Sequence, residues 1–204
     1  MPHPTLLAGD MGGTKTLLAL YDLEGSRLIK RHQQRFVSAD WTSLEPMLQA
    51  FVEERPKQVH APTHGCIAVA GPVRNRQARI TNLPWQLKEE DLAAAAGMQQ
   101  LELVNDFAVL IYGLPHIDAD QQVVLQEGEQ DDGPLAILGA GTGLGMARGV
   151  QTAQGLLALA SEGGHREFAP RNAAEWDLAC WLKQDLSVSR LSIERIVSGT
   201  GLGH

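Results

Sequence analysis

Two glycine-rich turns, each closing an apolar strand, and an Asn-Asp pair between them hold the residue types that phosphate chemistry requires. The first turn lies in Leu6-Leu7-Ala8-Gly9-Asp10-Met11-Gly12-Gly13-Thr14-Lys15-Thr16. The second lies in Leu135-Ala136-Ile137-Leu138-Gly139-Ala140-Gly141-Thr142-Gly143-Leu144-Gly145. Glycine lets backbone N–H groups approach an anion without interference from Cβ, and successive N–H groups form an anion-binding nest. Two nests suit a polyphosphate held between two lobes. Asp106, after Leu101-Glu102-Leu103-Val104-Asn105, supplies a carboxylate able to accept a hydroxyl proton during phosphoryl transfer.

Each piece also has a plainer reading. The order Gly13-Thr14-Lys15 is not the Gly-Lys-Ser/Thr of a Walker loop, and glycine at every other position from 139 to 145 misses the dinucleotide fingerprint. Either turn alone can also be a tight turn without a ligand, a reading that two such turns, both following strands, weaken. Asp10 would face Mg²⁺ through water, or simply cap its turn. Thr14 and Thr142 offer hydroxyl donors to phosphate oxygens, whereas Lys15 also fits a solvated strand position. A carboxylate at a strand's C-terminal edge points into the cleft where α/β ligands bind, but Asn105-Asp106 alone reads more simply as a helix N-cap. In Ser161-Glu162-Gly163-Gly164-His165 the paired glycines let Glu162 and His165 turn toward one site. A carboxylate and an imidazole supply the donors and acceptors a polyol requires, and no third ligand stands at metal-binding spacing. An ordinary polar loop has the same composition. Glu194, ahead of Ser198-Gly199, is either one more acceptor or part of a solvated helix face.

The elements that must position these residues follow from periodicity and punctuation. Leu6–Ala8 is predicted as a buried strand, and Lys15–Asp22 and Arg27–Phe36 as a hairpin across Leu23-Glu24-Gly25-Ser26. Leu44, Met47, Leu48, Phe51 and Val52 fall at helical spacing, with Pro46 in the first turn. Gly65–Ala70 and Leu101–Val104 are expected strands. Lys88–Ala96 is an expected helix stopped by Gly97, and Phe107–Tyr112 begins another before Gly113-Leu114-Pro115. The lobe boundary is placed there, giving lobes 1–113 and 114–204. Residues 126–133 are acidic and polar and read as a loop. A second strand set starts at Leu135. Ala173–Leu186 is an expected helix with Trp176, Cys180 and Leu186 as candidate core residues, and Ser192–Val197 a short one. Alternating strands and helices indicate an α/β class.

Composition bounds the function. The 204 residues, 44% of them hydrophobic, suffice for one large domain or two small ones. Seventeen Lys and Arg against 24 Asp and Glu give a net charge of −7 with no basic cluster, which argues against a nucleic-acid partner. Cys66 and Cys180 make neither a disulfide framework nor a zinc site. No secretory signal is apparent, and no apolar run approaches the ~20 residues of a membrane span, so a cytoplasmic location without a membrane partner is expected.

Taken in order, six segments resemble the bacterial ATP-dependent glucokinases of the hexokinase–actin-like superfamily. They are Gly9-Asp10-Met11-Gly12-Gly13-Thr14, Ile80-Thr81-Asn82-Leu83-Pro84-Trp85, Asn105-Asp106-Phe107, Gly139–Gly145, Glu162-Gly163-Gly164-His165 and Glu194-Arg195-Ile196-Val197-Ser198-Gly199. The resemblance implies a two-lobed, ribonuclease H-like α/β fold and transfer of phosphate from ATP, with Mg²⁺, to glucose. It casts Asp106 as the base for the sugar's 6-hydroxyl and Asn82, Asn105, Glu162, His165 and Glu194 as sugar-binding residues. Gly9, Asp10, Gly12, Gly13, Thr14 and Lys15 in the first turn, and Gly141, Thr142 and Gly143 in the second, would grip the ATP phosphates, with Asp10 toward the metal. Only Cys180 lies downstream of the Gly-His segment, which resembles the zinc-free branch. Glucokinases of this type run well beyond 204 residues, so the second lobe and adenosine pocket are expected to be incomplete. The alternatives are a non-catalytic sugar-binding or regulatory protein and a kinase for another hexose. Apolar surface left uncovered would favour a homodimer.

Overall fold

The structure is a computed structural model and describes residues 4–80, 83–129 and 133–204. Asn82 falls outside the described residues. The chain forms two compact units, Met1–Asp106 and Phe107–His204.

In the first unit, β1 (Thr5–Met11), β2 (Lys15–Glu24) and β3 (Arg27–Val37) form an antiparallel meander. The β2–β3 turn passes through Gly25 at φ +63°, as its sequence predicts. Helix α1 (Leu44–Glu53) follows, with all five expected apolar side chains buried. Next come β4 (His64–Val69) and three short strands, β5 (Val73–Arg74), β6 (Gln77–Arg79) and β7 (Gln86–Lys88). Helix α2 (Glu89–Ala95) leads into β8 (Gln100–Asn105), and Gly97 between them has φ +64°. The main sheet has the order β3-β2-β1-β4-β8, with β4 parallel to both β1 and β8. Alternation along the strands sends Leu7, Leu18, Leu20 and Ile67 into one core with Leu48 and Phe51 of α1 and Leu92 of α2.

Strands β5 to β7 make a separate small sheet that the sequence reading did not anticipate. At two or three residues each, they are too short to display a period. Their first turn holds Asn75 and Arg76 at φ +52° and +61°, the twist that two-residue hairpins demand.

His32 on β3 stacks on Phe51 of α1, with ring centroids 5.1 Å apart and an interplanar angle of 14°. Its Nε2 is buried and has no hydrogen-bond partner among the described residues. A buried polar atom left unsatisfied costs about 1–3 kcal/mol. His32→Phe keeps the stacked ring and removes that atom, so the melting temperature is expected to rise by a few degrees. An unchanged or lower midpoint in a thermal melt would show that the nitrogen carries no such penalty.

In the second unit, α3 (Asp106–Gly113) precedes an antiparallel sheet of β9 (Leu135–Ala140), β10 (Leu144–Thr152) and β11 (Gly155–Ser161), ordered β11-β10-β9. The first residue of α3 belongs to the first unit and the rest to the second, whereas the sequence places the boundary after Gly113. Phe107 and Ile111 explain the earlier break, because both lie against glycines of the β9–β10 hairpin. Helix α4 (Ala173–Asp185) is capped by Asn172, whose side chain accepts the Glu175 N–H at 2.9 Å. Its buried residues are Ala179 and Leu182, which meet Leu191 and the half-buried Phe168, Leu186 and Ile196. A core this small covers one helical turn. Trp176, at 59% exposure, and Cys180 therefore lie outside the core expected for them, while Leu186 contributes partly. The short helix expected over 192–197 contracts to one 3₁₀ turn, Ile193–Arg195. Among the described residues, no helix is long and apolar enough to cross a membrane.

Candidate active site

The first glycine segment divides into a strand and a true turn. Gly9 and Asp10 belong to β1, and only Gly12-Gly13-Thr14 connects β1 to β2. A Cβ on Gly9 would stand 2.9 Å from Ile67 Cγ1 and 3.1 Å from Leu18 Cδ2, so packing against β4 already requires this glycine. Asp10 is exposed at the end of β1, and Thr14 and Lys15 are exposed where β2 begins. The turn is held from behind by buried Ser38. The Ser38 N–H donates to the Thr14 carbonyl at 3.0 Å, and its hydroxyl donates to the Gly12 carbonyl at 3.4 Å. Gly12 N–H closes the turn onto the Lys15 carbonyl at 2.9 Å. The Gly13 and Thr14 N–H groups find no acceptor among the described residues. Carbonyls tied back and amides left over are what an anion-binding nest requires.

The second segment is built the same way. Gly139 ends in β9 and Gly145 in β10, facing each other across the ladder. A Cβ at Gly145 would lie 1.8 Å from the Phe107 ring, and one at Gly139 2.7 Å from it. These two glycines form a flat seat for Phe107, while Gly141-Thr142-Gly143 alone is the turn. The alternating glycine pattern thus overlays two requirements. Gly141 N–H donates to the Gly143 carbonyl at 2.9 Å. The Gly199 N–H donates to the Gly141 carbonyl at 2.7 Å, and the Thr200 hydroxyl to the Thr142 carbonyl at 2.8 Å. The Thr142 and Gly143 N–H groups again lack an acceptor among the described residues.

Asn105 ends β8 and Asp106 opens α3, both half-buried. The Asn105 Nδ2 donates to Asp106 Oδ1 at 3.0 Å and to the Gly71 carbonyl at 3.1 Å. Gly71 has φ +147°, a conformation that a side chain would strain, and a Cβ there would approach the Arg79 carbonyl at 3.2 Å. Asn105 therefore orients Asp106 in addition to any contact with a sugar. Behind this corner, buried Glu89 accepts the Leu103 N–H of edge strand β8 at 3.0 Å and pairs with Arg76 Nε at 2.8 Å. That satisfies a buried edge amide two residues before Asn105.

In the second unit the structure brings Glu162, His165 and Glu194 together. His165 Nδ1 lies 3.2 Å from Glu162 Oε2, and His165 Nε2 lies 3.4 Å from Glu194 Oε1. A 3₁₀ turn, Gly163–His165, turns the imidazole between the two carboxylates. Glu162 and His165 are exposed and Glu194 is half-buried, so the cluster is open to a ligand. Among the described residues, no group of three or more His, Cys, Asp or Glu side chains is arranged to hold a metal ion. Planar acceptors flanking a ring with two nitrogens suit vicinal hydroxyls instead.

Ser38, Glu89, Arg76 and Thr200 escaped the sequence reading, as did the tethering contacts of Gly71 and Gly199. Each acts on a group distant in the chain, which leaves no local pattern.

The family model for Glucokinase matches residues 7–204. The chain is 41% identical over 199 residues to a glucokinase of Nostoc sp., an alignment covering 97% of this chain and 58% of that one. Among solved structures, it resembles a glucokinase from an Antarctic psychrotroph with a TM-score of 0.81 at 33% identity, covering 97% of this chain and 62% of the other. A glucokinase from Balamuthia mandrillaris, solved in complex with glucose, shares the fold with a TM-score of 0.72 at 21% identity, over 98% and 61% of the two chains. The chain thus spans about 58% of the length of the curated relatives it matches. By its matched family model and its curated relatives, the chain belongs to the glucokinase family.

Proposed function

We propose that this chain carries the sugar-recognition and phosphate-gripping machinery of an enzyme that phosphorylates glucose with ATP, yielding glucose 6-phosphate and ADP, the entry reaction of glycolysis. The observation carrying this reading is the convergence of Glu162, His165 and Glu194 in the unit whose Gly141–Gly143 turn leaves two amides for an anion. In this reading Glu162, His165 and Glu194 hydrogen-bond the sugar hydroxyls and hold the ring. Asp106 accepts the proton of the 6-hydroxyl as its oxygen bonds the γ-phosphorus. The bond from that phosphorus to the bridging oxygen breaks, and ADP leaves. The amides of Gly13, Thr14, Thr142 and Gly143 offset charge on the phosphate oxygens. Mg²⁺ is held by one or two carboxylates plus substrate phosphates in sites of this kind, so a single exposed Asp10 beside the first turn fits it. When bound, the ion neutralises phosphate charge.

Calorimetric titration with glucose, mannose and N-acetylglucosamine tests the sugar assignment. Glucose is expected to bind most tightly, and His165→Ala to weaken it by tenfold or more. Equal affinity for all three sugars, or wild-type affinity in His165→Ala, would refute it.

A further inference from the structure

We infer that the segment from Glu194 to Thr200 mechanically couples sugar recognition to the phosphate turn, with Thr200 as a positioning residue for Gly141–Gly143. The inference rests on the glucokinase reading above and extends it to how the two ligands communicate.

One end of this segment holds Glu194. Its Oε1 faces His165, while its Oε2 lies against Gly143, tighter than an ordinary contact with a side chain there would allow. A Cβ on Gly143 would lie 2.8 Å from that oxygen. The carboxylate that reads the sugar thus rests directly on the turn. The Ser192 hydroxyl donates to Glu194 Oε1 at 3.5 Å, so that oxygen is also held from the residues just ahead of the segment. At the other end, the Gly199 amide and Thr200 hydroxyl grip two consecutive turn carbonyls, those of Gly141 and Thr142. A Cβ on Gly199 would stand 3.0 Å from the Gly141 carbonyl oxygen, so the approach requires glycine. Between the two ends, the buried Ser198 hydroxyl accepts the Gly201 N–H at 2.9 Å and stiffens the bend.

The turn therefore has its carbonyl side fixed by residues 199 and 200 and one flank covered by Glu194. A sugar that draws Glu194 and His165 into hydrogen bonds also fixes the contact at Gly143. The amides of Thr142 and Gly143 are then ordered before phosphate arrives. Ordering completed by the first ligand is not repeated for the second, which makes the two bind cooperatively. Linkage makes the effect reciprocal, so phosphate must tighten sugar to the same degree.

Glucose and inorganic tripolyphosphate, each titrated calorimetrically with and without the other, provide the test. For the wild-type chain each ligand is expected to tighten the other by about fivefold or more. Thr200→Val removes the hydroxyl and keeps the shape. It is expected to leave glucose affinity alone within twofold, to weaken tripolyphosphate, and to bring the mutual enhancement close to one. Thr200→Ser, which retains the donor, should restore it. Gly143→Ala displaces the Glu194 carboxylate and is expected to weaken glucose about tenfold, although position 143 lies in the phosphate turn. Circular dichroism and melting temperature identify any variant that fails to fold, and Thr200→Ser then carries the comparison. Both ligands binding independently in the wild type, or full enhancement surviving in Thr200→Val, would overturn the coupling and leave the sugar-kinase reading intact. Failure of the wild type to bind either ligand would overturn both.

Discussion

Asp106→Asn is expected to reduce glucose phosphorylation by about 10²- to 10⁴-fold, the usual range for removal of a positioned general base. Glucose affinity should change by no more than a few-fold. The substitution preserves size and retains an oxygen to accept the Asn105 carboxamide, which donates to Asp106 at 3.0 Å. On the proposed reading, what it removes is the capacity to take the proton of the 6-hydroxyl as the oxygen attacks phosphorus. Asp106→Ala removes the Asn105 contact as well, so any loss beyond that of Asp106→Asn measures positioning. Asn105→Ala isolates the same term from the other side, since Asn105 also anchors to the Gly71 carbonyl at 3.1 Å. Turnover is read in a coupled glucose 6-phosphate assay and affinity by calorimetry. Turnover of Asp106→Asn within tenfold of wild type would remove Asp106 from the role of base. A parallel collapse of glucose affinity would make it a sugar ligand first.

The elements that announce themselves in the sequence are those whose signal is periodic and local. The five apolar positions of α1 are spaced for one helical face and are all buried. The β2–β3 hairpin needs only its alternation and the Gly25 turn. Glycine is a different signal, because it marks any place where a side chain would collide. Gly9 and Gly12 look alike in sequence, yet one faces Ile67 across the sheet and the other closes a turn. Gly139 and Gly145 seat Phe107, whereas Gly141 and Gly143 shape the turn between them. The same ambiguity moves the unit boundary, since nothing local says that Phe107 packs on residues more than thirty positions away. Glu162 and His165 are readable as a pair because three residues separate them. Their convergence with Glu194, and the tethering of each turn by Ser38 or Thr200, depend on tertiary geometry alone.

The paired glycines before His165 should respond very differently to the same added methyl group. A Cβ on Gly164 would stand 2.1 Å from the Leu144 carbonyl oxygen and 3.0 Å from its carbon. Both are backbone atoms of β10, tied into the ladder with Ala140 immediately after the Gly141–Gly143 turn. Neither can move aside without dragging that turn. A Cβ on Gly163 would instead meet Met146 Sδ at 2.6 Å and Cε at 3.1 Å, the far end of an unbranched and adaptable side chain. Gly164→Ala is therefore expected to cost about 1–3 kcal/mol of stability, as overpacking against a rigid neighbour does. It should also weaken glucose by tenfold or more, because the 3₁₀ turn that presents His165 to Glu162 and Glu194 must lift away from β10. Gly163→Ala should cost well under half as much in stability and change glucose affinity only a few-fold. Thermal melts and glucose titrations of the two variants side by side decide the matter. Equal behaviour would mean that the glycine pair serves turn flexibility and not close packing, and the close approach of Gly164 to Leu144 would have no part in recognising the sugar.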